Sequence, residues 1–158
     1  MADAPPATEP PSLPVAERRR WMGILARASA AEIERHLADI PAPPPHRRLR
    51  GPEIGLVMVR GRAGGDGAAF NLGEMTVTRC AVRLEDGRVG HAYVAGRDAR
   101  QAELAALVDA LLLDDAARPA IAEAVIEPLA AAQDARRAAE ARRAAATRVQ
   151  FFTMTQMR

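Results

Sequence analysis

Met75-Thr-Val-Thr-Arg-Cys-Ala-Val-Arg-Leu84, followed at once by Glu85-Asp-Gly-Arg88 and Val89-Gly-His-Ala-Tyr-Val-Ala95, decides the fold of this 158-residue chain. The first run is rich in β-branched residues and free of Gly and Pro, as a strand requires. Asp-Gly between two such runs is the strongest short hairpin signal, so the pair reads as antiparallel strands joined by a tight turn. Upstream, Ile54-Gly-Leu-Val-Met-Val59 is a short continuous apolar run, which predicts a further strand covered on both faces. The glycine-rich stretch Gly61 to Gly67 connects it to the Met75 strand. Two adjacent hairpins make an antiparallel meander of at least three strands, placed at residues 51–97.

Helical periodicity flanks the meander. Trp21, Met22, Leu25 and Ala28 recur at spacings of three and four, and Ser29 with Glu32 forms a capping box that restarts the chain as a second helix carrying Ile33, Leu37 and Ile40. Pro41 ends it, so residues 15–40 read as a helical pair and 41–50 (PAPPPHRRLR) as a stiff polar linker. After the meander, Asp98 caps a helix with Gln101 at the capping-box position and Leu104, Leu107, Val108, Leu111 and Leu112 on its apolar face. Pro119 and Pro128 fall at first-turn positions or breaks, and residues 129–146 are Ala/Arg-rich and helical by propensity. Residues 147–155 return to strand composition through Val149-Gln-Phe-Phe-Thr-Met154. The expected fold is therefore α+β: one domain over residues 15–158, with an antiparallel sheet of at least three strands. N-terminal helices and a long C-terminal helical region flank the sheet, and a disordered Pro-rich arm precedes it at 1–14.

Composition narrows the function classes. No apolar run approaches the roughly 20 residues that cross a bilayer, and no basic-then-apolar leader opens the chain, so the expected location is cytoplasmic. A single cysteine excludes an internal disulfide framework and a Cys-based zinc cage. The pI near 9.4 suggests a nucleic-acid binder, yet the formal charge is only +2. Every basic residue is Arg and none is Lys, which leaves almost nothing to titrate between the histidines and Arg; the high pI follows from that gap.

The residues that offer chemistry have two readings each. Arg60, Arg62, Arg79 and Arg97 cluster around strand ends, where guanidinium groups suit a phosphate-like oxyanion, or else form salt bridges with Glu53, Glu74 and Glu103. The Gly61–Gly67 loop offers either backbone N–H groups to an anion or a plain connection, and it lacks the lysine of a phosphate loop. Asn71 and Glu74 open the second strand as turn and strand-start chemistry. Cys80 reads as a buried inert thiol, and the lone His36, His46 and His91 give no metal site. The arginine runs 18–20, 136–137 and 142–143 read as solvated helix faces. No Ser/His/Asp order or carboxylate pair marks a catalytic centre. Val149, Phe151 and Phe152, following a helix with little large apolar surface, read as a partner-binding strand that seeks a sheet edge of a partner or of a second copy, the alternative being a strand that folds back on this chain's own meander.

Phe70-Asn-Leu-Gly-Glu-Met-Thr-Val-Thr-Arg-Cys80 resembles the signature of the PhnG family, a subunit of the bacterial phosphonate carbon–phosphorus lyase core complex. Arg50 to Arg62, Gly90 to Asp98, Ala102 to Leu111, Thr147 to Thr153 and the Trp21 to Arg27 helix are similar as well. The resemblance spans residues 15–155. It implies a role in an enzyme complex that displaces adenine from ATP and transfers the ribose 5-triphosphate to a phosphonate such as methylphosphonate. The implied partners are the other core subunits PhnH, PhnI and PhnJ, and a second copy of the chain itself; neither nucleic acid nor membrane is among them. An iron–sulfur cluster and S-adenosylmethionine are expected on another subunit, since about four thiolates are needed and this chain has one. No cofactor is expected on this chain alone, no residue here is singled out as catalytic, and the isolated chain is expected to be inactive. The alternative is a small anion- or nucleotide-binding regulatory module using the same loop and arginines.

Overall fold

The computed structural model describes residues 14–62 and 67–148. Helices α1 (Val15–Leu25) and α2 (Ala30–Leu37) lead into strands β1 (His46–Gly61), β2 (Phe70–Leu84) and β3 (Val89–Ala95). Helix α3 (Ala99–Leu111) follows, then the short α4 (Arg118–Ile121), which continues through one wide π-turn (Ala122–Ile126) into α5 (Glu127–Ala146). The strands form an antiparallel sheet in the order β1-β2-β3, so the α+β expectation holds.

Local chemistry sets the element ends as read. Ser29 accepts from the Glu32 backbone N–H while Glu32 returns to the Ser29 N–H, closing the capping box of α2. Arg136 adds its guanidinium to the same carboxylate, and together these hold Glu32 at a pKa of about 2. Asp98 caps α3 by accepting from the Gln101 N–H. The reciprocal half of that box does not form. The Gln101 amide donates instead to the carbonyls of Ala26 and Ala28, tying α3 to the end of α1.

The core lies between the sheet and the helices. From β2 it takes Cys80, Val82 and Leu84, from β3 Ala92 and Val94, and from α3 Leu104, Leu107, Val108 and Leu111. Trp21, Leu25 and Ile33 close it from the N-terminal pair, and Val125, Ile126 and Leu129 from the C-terminal region. Strand β3 approaches α3 through Gly90. A Cβ there would overlap the Ala106 carbonyl oxygen and stand 2.5 Å from the Ala110 nitrogen, so only glycine fits.

Asp109 of α3 is fully buried, and four donors surround it. Arg18 donates through Nε (3.2 Å) and Nη2 (2.8 Å), Trp21 through Nε1 (2.8 Å), and His91 through its backbone N–H (2.8 Å). Arg18 is thus a structural partner of a buried carboxylate, whereas the run 18–20 reads in sequence as a solvated face. Asp109 also takes up one of the outward N–H groups of the edge strand β3.

Two expectations about β1 need correction. The strand begins at His46, inside the stretch 41–50 read as linker, because His46, Arg47 and Arg48 pair with Leu84, Arg83 and Val82. Only the proline run 41–45 remains a connector. Pro52 is tolerated because β1 is an edge strand and the register shifts between Arg50 and Glu53. The apolar run 54–59 is also not covered on both faces. Ile54, Leu56 and Met58 are 58%, 62% and 53% exposed.

Candidate functional site

That run lies past the helical layer that covers the sheet farther down. Strand β3 ends at Ala95, opposite Val77, while β1 and β2 continue pairing to Gly61 opposite Phe70. The outer half of the first hairpin is therefore a two-stranded ribbon without a third strand. Pairing sets its two faces. Ile54, Leu56 and Met58 lie opposite Thr78, Thr76 and Glu74, on the face that the helices cover farther down, where Cys80 and Val82 enter the core. On the other face Val57 lies opposite Met75 and Gly61 opposite Phe70, with the Leu72 side chain against Gly61. Phe70, Leu72 and Met75 are all exposed there. Leu72 is the residue skipped where the register shifts between Val59 and Arg60, and this bulge turns its side chain onto the Phe70 side.

The arginines grouped by sequence separate in space. Arg79 pairs with Glu53 at 3.3 Å and lies over Gly55, on the face where Tyr93 is its strand partner. Arg60 stands opposite Asn71, seven residues farther along β1 than Glu53. That is about 23 Å away along the strand, and the residue alternation puts it on the opposite face. Its guanidinium donates to the Ala69 carbonyl at 3.5 Å. Arg97 is exposed beyond the end of β3, and Arg62 is exposed beside the loop 63–66, which lies outside the described residues with the glycine-rich anion candidate. Arg60 and Arg79 do not converge on one anion. Of the acidic partners read in sequence, Glu53 takes Arg79, while Glu103 takes Arg48, bidentate at 2.8 Å, with His46 at 3.8 Å. Arg48 holds the Glu103 carboxyl below its usual range. Glu74 is exposed on the ribbon, opposite Met58.

Cys80 is 3% exposed, burial pushes its thiol up, and its Sγ donates to the Arg50 carbonyl, as suits an inert core thiol. Among the described residues no cluster of three His, Cys, Asp or Glu is placed to hold a metal, and no helix is long and apolar enough to cross a membrane. Val149, Phe151 and Phe152 lie outside the described residues. Sequence reasoning missed Asp109 and the two-faced ribbon. A lone acid inside the apolar run Leu107-Val-Asp-Ala-Leu111 was the available signal for the first.

Fold and site together define a small α+β protein whose sheet runs out past its helical layer as an apolar ribbon. The chain belongs to the PhnG family: residues 16–156 match the family described as "Phosphonate metabolism protein PhnG". It is also 50% identical over 140 residues to the alpha-D-ribose 1-methylphosphonate 5-triphosphate synthase subunit PhnG of Rhizobium meliloti (strain 1021), covering 89% of each chain.

Proposed function

We propose that this chain is a docking subunit of a ribose 1-methylphosphonate 5-triphosphate synthase, and that the β1–β2 ribbon is the surface through which it joins the complex. One observation carries the reading. Ile54, Leu56 and Met58 on one face, and Phe70, Leu72 and Met75 on the other, stay in water when the chain is alone. The base of β1 carries Arg47, Arg48, Arg50 and Pro52, residues that discourage stray strand pairing; the outer run Ile54 to Val59 carries no charge at all. A ribbon apolar on both faces gains most by insertion between surfaces of another protein. The relative's printed name, which makes it a synthase subunit, supports the same reading.

In this role the chain supports transfer of the ATP ribose 5-triphosphate to a phosphonate with release of adenine, in the cytoplasm. It does so alongside PhnH, PhnI and PhnJ, while any iron–sulfur cluster and S-adenosylmethionine sit on another subunit. The anion-binding regulator finds less support, because Arg60 and Arg79 stand on opposite faces.

The test is co-expression of all core subunits with a tag on this chain carrying Leu56→Glu and Met58→Glu. Both side chains are already exposed, so circular dichroism should match the unsubstituted chain. Recovery of the other subunits and adenine release from ATP plus methylphosphonate should fall together, by tenfold or more. Full recovery of the complex with these substitutions would overturn the ribbon's role.

A further inference from the structure

Strand β3 leaves its outer edge unpaired beside α1, and between them runs a groove of about 800 Å³. It is lined by Met22 of α1, Ala26 just past the helix end, Ala92, Tyr93 and Val94 of β3, and Ala105 of α3. The direction of the edge groups follows from the ladder. Leu84 donates to the Arg88 carbonyl and Gly96 to the Thr76 carbonyl, so the hydrogen-bonded pairs with β2 fall on Gly90, Ala92 and Val94. The N–H and C=O groups of His91, Tyr93 and Ala95 consequently point outward. Asp109 takes the His91 N–H. The His91 carbonyl, both Tyr93 groups and the Ala95 N–H have no partner among the described residues, and they form a five-residue template about 17 Å long. An unpaired strand edge beside a mostly apolar lining is what a strand-addition site offers.

We infer that this groove receives the C-terminal segment Val149-Gln-Phe-Phe-Thr-Met154 of a second copy of the chain. The segment lies outside the described residues and has the composition of an apolar strand. Its own groove is out of reach for a geometric reason. Helix α5 runs parallel to α1: Glu127 pairs with Arg20, and Gln133 donates to the Ile24 carbonyl. From Gln133 the helix and its last turn carry the chain to Arg148, about 22 Å past the level of Ile24. Phe151 follows three residues later, and three extended residues span about 10 Å. From Arg148, Phe151 therefore has too little chain to return to the groove of its own chain. This inference stands apart from the subunit reading, since it concerns contact between identical chains.

The test uses full-length chains, all carrying Cys80→Ala to remove the native thiol. One chain carries Tyr93→Cys, the other Phe151→Cys, with different tags; Phe152→Cys is run in parallel for the adjacent register. Opposed residues of paired strands lie within disulfide reach, so mild oxidation of the mixture should give a cross-linked band bearing both tags, which disappears with reductant. Light scattering should show the unsubstituted chain at twice the mass of the chain carrying Phe151→Asp and Phe152→Asp. Two results would overturn the inference. One is no cross-link in either register. The other is closure of a doubly substituted chain, Tyr93→Cys with Phe151→Cys, onto itself rather than across the tags.

Discussion

Asp109 concentrates more of the tertiary structure than any other single side chain described here. Its two oxygens gather a helix, an indole and a strand edge: Arg18, Trp21 and the His91 N–H. Removing the carboxylate leaves four N–H donors without their acceptor, and removing Arg18 leaves the buried carboxylate without its guanidinium partner. Asp109→Ala should cost about 3–5 kcal/mol in urea unfolding, with a shift in Trp21 fluorescence, and Arg18→Ala should follow it closely. A double variant far less destabilised than the sum would confirm that the two act as one pair. Gly90 is the steric counterpart. Because a Cβ would meet the Ala106 carbonyl and Ala110, Gly90→Ala must push β3 from α3 and should cost about 3 kcal/mol or more, read by the same unfolding curve. Neither residue declares itself in sequence. A lone Asp in an apolar stripe and a Gly in a strand each have many outcomes until the facing element is known.

Elements were more legible than their surroundings. The Ser29–Glu32 box, the Asp-Gly turn and the Asp98 cap are local chemistry, and each forms in the structure. The covering of a strand is not local. The run Ile54 to Val59 has the composition of a buried strand, but burial depends on how far the helical layer reaches, and Ile54, Leu56 and Met58 lie past it. Gln101 fails the full box for a similar reason, since the carbonyls of Ala26 and Ala28 compete for its amide. The capping carboxylate of α2 gives a pH prediction. Hydrogen bonds from Arg136 and Ser29 lower the Glu32 pKa from 4.5 to about 2. A depressed carboxyl stabilises the fold above its unfolded value and loses that contribution as pH falls from about 4.5 towards 2. Arg136 is half exposed, so the contribution is about 1 kcal/mol. Glu32→Gln should therefore be less stable than the parent at pH 7, with most of that difference gone at pH 2, measured by denaturant unfolding at both.

At the scale of the whole molecule, two extensions leave the same end. Gln101 ties the start of α3 to Ala26 and Ala28, near the end of β3, and Gln133 ties α5 to Ile24. Beyond that level the ribbon continues from Thr76 to Phe70, and α5 continues past Arg137 with its residues almost wholly exposed. Nothing in the described core depends on the latter. A chain ending at Arg137, which keeps Gln133 and the Arg136–Glu32 pair, should melt within about 3 °C of the parent in a calorimetric scan. This same independence makes the outer part of α5 an angular device. Each residue of an α-helix turns its end by about 100° and advances it by about 1.5 Å. Leu129 and Gln133 lock the inner turns, whereas one alanine added after Arg137 would swing whatever follows Ala146 through a quarter turn at almost no packing cost. The compass bearing of the chain's last residues is thus written in the length of an alanine–arginine tract, and a one-residue insertion or deletion there re-aims them while leaving the core as it was.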